Sequence, residues 1–148
     1  PTSTEGTAGL PNFQAELLQR VNAARAAGTT CGGTAYPAAP ALRWETRLQA
    51  AALGHSQDMA TNNYFSHTSR DGRTFDQRIR AQGYTFSGAS ENIAMGQTSV
   101  AQVMASWLGS TGHCVNIMSA SSQDIGVAAV RGTNGSLYWT MKIAAPAR

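Results

Sequence analysis

The chain has 148 residues, enough for one domain with a buried core, and 42% of them are hydrophobic. Its formal net charge is +3, with Lys+Arg 11 against Asp+Glu 8, and Lys142 is the only lysine. The arginines are scattered apart from a mild cluster at Arg70, Arg73, Arg78 and Arg80, which excludes a concentrated nucleic-acid-binding patch and reads as a solvated helix face.

Residues 1–10 are polar and loose, without an initiator Met, and are expected to form a flexible lead-in to a single domain over 11–148, an export signal having been removed. "PNFQAELLQRVNAARAAG" predicts a helix that starts at Pro11–Asn12, turns Phe13, Leu17, Val21 and Ala24 inward with Leu18, and stops at Gly28. The Gly- and Pro-rich "TTCGGTAYPAAP" predicts a loop. "WETRLQAAALGHSQDMATNN" predicts a second helix with Trp44, Leu48, Ala52 and Ser56 in one stripe and His55 beside it.

A short polar loop then carries His67. "TFDQRIRAQGY" predicts a short third helix capped by Thr74, with Phe75 and Ile79 inward and Gly83 as the stop. "SENIAMG" is a strand or an extended loop. "TSVAQVMASWLGSTGH" predicts a fourth helix, capped by Thr98 or Ser99, with Val100, Val103, Met104 and Trp107 buried. "DIGVAAVRG" and "SLYWTMKIAA" predict a hairpin joined through Asn134–Gly135. Helices followed by a hairpin point to the α+β class. No apolar run approaches the roughly 18–20 residues of a membrane span.

Cys31 and Cys114 are far apart, one in a loop-like stretch and one after a helix. A disulfide would close a long loop and require an oxidising compartment; two buried thiols are the alternative. His67 and His113 are both expected just beyond helices. Glu91 opens the apolar run "ENIAM", where an acid needs partners. Two histidines and a carboxylate can hold a divalent metal with an open position for water, or serve as a metal-free acid/base group. A Cys114–His113 nucleophile is disfavoured, because adjacent side chains diverge and a disulfide leaves no thiolate. His55, inside a helix, reads as structural.

"FSHTS", "ENIA", "SWLGSTGHCVNIM", "DIGVAAV" and "YWTMKIA", in that order, resemble the CAP superfamily of cysteine-rich secretory, antigen 5 and pathogenesis-related proteins, in its bacterial SCP-domain branch. The resemblance runs from about Asn12 to about Ala145. It implies a three-layer α-β-α sandwich with a central antiparallel sheet, secretion or export to the periplasm, and a cavity lined by His67, Glu91, Ser110 and His113. In such proteins the two histidines bind a divalent cation, zinc first among those to try, so His67 and His113 become the expected metal ligands. Ser110 stands where the family often has a second acid, and Ser90 stands where its motif usually has glycine. Weaker cation binding is therefore expected. The reading is a secreted module binding a small ligand, lipid or peptide. The alternative is a zinc-dependent hydrolase with His67 and His113 on the metal and Glu91 as base.

Overall fold

Period-2 apolar runs at the end of the chain and period-3.6 runs before them build a sheet with helices on both faces. The structure, a computed structural model, describes residues 7–10 and 12–147. The elements in order are α1 (Phe13–Ala27), β1 (Thr29–Cys31), β2 (Thr34–Tyr36), β3 (Arg43–Trp44), α2 (Thr46–Asn62), α3 (Phe75–Ala81), β4 (Phe86–Met95), α4 (Val100–Leu108), α5 (Thr111–Ile117), β5 (Asp124–Arg131) and β6 (Leu137–Pro146).

The main sheet has the order β3-β5-β6-β4. Its β5–β6 and β6–β4 pairs are antiparallel, while β3 adds a two-residue edge parallel to β5. The sheet is thus antiparallel except at that edge. Asn134–Gly135 turns the β5–β6 hairpin: Gly135 has φ 85°, which a side chain disfavours, and Asn134 Oδ1 accepts from the Ser136 N–H at 2.9 Å.

Strand alternation sorts side chains into two layers. Ile125, Val127 and Ala129 of β5, with Leu137, Trp139, Met141 and Ile143 of β6, pack against α1, α4 and α5 in the larger core. The opposite face meets α2 and α3, through Leu48, Ala51, Ile79, Tyr84 and Ala144 at one end and Met59, Ile93 and Tyr138 at the other. This is the expected α-β-α sandwich. Its middle strand β6 is buried from Leu137 to Ala145, which explains its near-continuous apolar run. Gly126 permits the contact of α2 with β5, since a Cβ there would fall 2.1 Å from the Gln49 backbone nitrogen.

Four local expectations are corrected. The predicted loop at Cys31 contains the β1–β2 hairpin, turning at Gly32–Gly33. Trp44 lies in β3, and α2 begins after Glu45, whose side chain accepts from the Arg47 N–H at 2.9 Å. The fourth helix is two helices, broken at Gly109–Ser110. His113 and Cys114 therefore lie inside α5 rather than beyond a helix. Of the lead-in, residues 1–6 lie outside the described residues. Thr7 bridges Ala129, and Leu10 packs against the larger core.

Candidate functional site

Glu91 sits on β4 directly across from Lys142 on β6. Both point toward the α2/α3 layer, and Glu91 is buried, with its side chain 1% exposed. An ionised carboxylate in that position needs compensation, and it has three donors. Oε1 accepts from His67 Nδ1 at 2.8 Å, and Oε2 accepts from Arg78 Nη2 at 2.9 Å and from Lys142 Nζ. Burial pushes the Glu91 carboxyl up. The His67 hydrogen bond, the Lys142 ammonium and the Arg78 guanidinium outweigh that and hold it down at about 2. Lys142 is fully buried, with Phe75 5.5 Å from its ammonium. Burial pulls it down to about 8 against the attraction of Glu91, so it remains mostly charged at neutral pH.

Arg78 departs from the solvated face expected for the arginine cluster. Arg70, Arg73 and Arg80 are exposed, but Arg78 is buried. Besides Glu91 it donates to Ser69 Oγ at 2.6 Å, the Arg73 carbonyl at 3.0 Å and the His67 carbonyl at 2.8 Å. One guanidinium thus fixes the α2–α3 loop and the backbone of His67 together.

His67 projects from that loop with its side chain about half exposed, at 53%. Because the ionised carboxylate only accepts, the Nδ1 that meets it carries a proton. This is the carboxylate–histidine arrangement that orients a metal-ligating imidazole. His113 approaches from α5, on the other helical layer. Its Nδ1 meets Ser110 Oγ at 2.9 Å, so Ser110 orients the ring. Asn92 Nδ2 donates to the His113 carbonyl at 3.2 Å, and Asn116 Nδ2 donates to Asn92 Oδ1 at 2.9 Å, tying α5 to β4. Burial lowers the His113 pKa, and the electrostatic effect of His67 lowers it further.

His55 stays apart from this pair. It is fully buried on α2, its Nε2 donates to the Ser66 carbonyl at 2.6 Å, and its ring stands edge-on to Tyr64 at 6.2 Å. It supports the residue before His67. Its Nδ1 has no partner, and burial drives its pKa down to about 4.

Cys31 and Cys114 form a disulfide, with Cα atoms 5.6 Å apart, between β1 and α5. The bridge anchors the helix that carries His113.

Among the described residues, no three His, Cys, Asp or Glu side chains stand together as a metal-holding group. His67 and His113 supply two imidazoles. Glu91, the base of the hydrolase reading, has both oxygens committed and is not free as a third ligand either, and Ser110 is engaged by His113. The residues therefore do not fit a three-ligand catalytic zinc centre. The charged partners Arg78 and Lys142 were missed at the level of sequence.

The chain is 37% identical over 102 residues to the uncharacterized protein YkwD of Bacillus subtilis (strain 168), a match covering 68% of this chain and 38% of that protein. An extracellular Bacillus anthracis protein containing an SCP domain superposes with a TM-score of 0.72 at 26% identity, over 92% of this chain and 44% of that one. NaASP2, solved with Zn2+, shares the fold with a TM-score of 0.68 at 14% identity, over 97% of this chain and 83% of that one. The chain spans less than half the length of YkwD and of the Bacillus anthracis protein. No helix among the described residues is long and apolar enough to cross a membrane. The model of the Cysteine-rich secretory protein family, CAP, matches residues 18–143, and the chain belongs to that family.

Proposed function

We propose that this CAP domain is an exported binding module, which recognises a small molecule, lipid or peptide through the surface that carries His67 and His113, without breaking a bond. The observation that carries the reading is the state of Glu91: both oxygens are engaged by His67, Arg78 and Lys142, leaving neither a third metal ligand nor a free base. A divalent cation, zinc first, sits in this reading on Nε2 of His67 and of His113 as an accessory to binding. The half-exposed His67 ring, held by Glu91 through Nδ1, supports this, and one fold neighbour, NaASP2, was solved with Zn2+. Export is supported by the disulfide and by the extracellular Bacillus anthracis neighbour.

Calorimetric zinc titration of metal-stripped protein tests the reading. The wild type is expected to bind zinc, and the His67→Ala/His113→Ala double variant to lose that binding. Zinc-loaded protein is expected to leave peptide and ester substrates intact. Zinc-dependent turnover abolished in the double variant would establish the hydrolase instead.

A further inference from the structure

We propose that Lys142 is the built-in cation of this site: with Arg78 it neutralises Glu91 from inside the fold and sets the histidine pair against divalent metal ions. The inference rests on the reading that His67 and His113 form the cation position.

The charge count is made by side chains that cannot leave. Glu91 brings one negative charge, and Arg78 and Lys142 bring two positive charges to the same oxygen, Oε2. Lys142 is 0% exposed and Arg78 is 4% exposed. The further acid acting on Lys142, Asp76, has its carboxylate held at the surface by Arg80 at 2.9 Å. The buried cluster thus carries an excess positive charge beside the imidazole of His67. A metal ion approaching Nε2 finds the Glu91 carboxylate already neutralised, and the uncompensated positive charge behind the His67–Glu91 hydrogen bond opposes it.

Arg78 has a structural duty that Lys142 lacks, since it also holds the α2–α3 loop through Ser69, Arg73 and the His67 carbonyl. Among the described residues the Lys142 ammonium hydrogen-bonds to Glu91 alone, and it stands 5.5 Å from the centre of the Phe75 ring. It is also the single lysine of the chain, set in a mostly apolar strand. Lys142 is therefore the group whose charge can be removed while Glu91 keeps a partner. Lys142→Met preserves length and apolar stem, and leaves a balanced Glu91–Arg78 pair.

The test is zinc calorimetry at neutral pH on the wild type, Lys142→Met, Lys142→Arg and Lys142→Met/His67→Ala, with urea unfolding to verify that each folds. Lys142→Met is expected to bind zinc at least about tenfold more tightly than the wild type, a conservative figure for removing one buried charge near a divalent ion. Lys142→Arg, which keeps the charge, is expected to match the wild type, and the double variant to lose the gain. A folded Lys142→Met with wild-type affinity, lost on His67→Ala, would overturn the role of Lys142 while leaving the histidine pair standing. Absence of zinc binding in both the wild type and Lys142→Met would overturn both. If Lys142→Met does not fold, the wild type carries the test. Protein labelled with 15N-lysine gives one Nζ signal, expected to hold its position as zinc is added to saturation. A shift showing that Glu91 has left Lys142 for the metal would overturn the proposal.

Discussion

Acidification from pH 7 to pH 5 is expected to destabilise the domain through His55. The ring is fully buried, its Nε2–H is committed to the Ser66 carbonyl at 2.6 Å, and Nδ1 faces no acceptor. A second proton on Nδ1 would be a buried charge without a partner, and burial accordingly brings the pKa from 6.5 down to about 4. The sign follows from the depressed folded value. The unfolded chain takes up the proton near pH 6.5 and the folded chain does not, so stability is full above that range. It falls as pH drops toward 4, and the loss is complete below it. Linkage between those two values gives about 2 kcal/mol lost between pH 7 and pH 5. Urea unfolding of the wild type and of His55→Gln at both pH values measures it. Gln cannot titrate, so the variant is expected to be less stable at pH 7 and to show a pH dependence about 2 kcal/mol smaller. His113, also lowered by burial, contributes in the same direction but is common to both proteins. Equal pH dependence in the two proteins would refute the assignment of His55 as a buried neutral ring. The substitution is also expected to leave zinc binding by His67 and His113 in place.

Glu91→Gln is expected to cost about 3–5 kcal/mol in urea unfolding, because Arg78 and Lys142 are left buried without their carboxylate. In the wild type the stabilisation from Glu91 is present above pH 4.5 and is lost as pH falls toward about 2, which acid unfolding should register as a second, lower phase of destabilisation. Reduction of Cys31–Cys114, with a sequence separation of 83, is expected to lower stability by about 4–5 kcal/mol on chain entropy, read as a shift of the urea midpoint with and without reductant.

The helices and the hairpin were legible because their signals are local. Phe13, Leu17 and Val21 lie one turn apart, Gly83 follows α3, and Asn134–Gly135 fits the tight turn. Where the reading slipped, a local signal was overlooked or overridden. Gly109 keeps φ −80° and ψ −8°, so the backbone leaves helical space between α4 and α5 only at Ser110, with φ −108° and ψ 125°, and the apolar spacing runs through the break. The Gly109–Ser110 pair was the available sign of a stop followed by a cap. Gly32–Gly33 between Thr-containing flanks was the sign of the β1–β2 hairpin.

The resemblance supplied the grouping of His67, Glu91 and His113, and no spacing in the sequence does so alone. What determines the character of the site was partly readable. Arg78 is three residues after Phe75, on the inward face of a short helix, where an arginine needs a buried partner. Lys142 is the one charge in a mostly apolar β6, and Glu91 the one charge in β4. Two lone opposite charges, one in each of two strands, are the pattern of a cross-strand pair, but the register that places them opposite each other requires the fold.

The most direct measurement of the central claim is a crystal structure of the protein soaked in zinc. The account predicts the metal on Nε2 of His67 and Nε2 of His113, with the Glu91 carboxylate still held by His67 Nδ1, Arg78 and Lys142. A Glu91 oxygen on the metal, with Lys142 released, would contradict it.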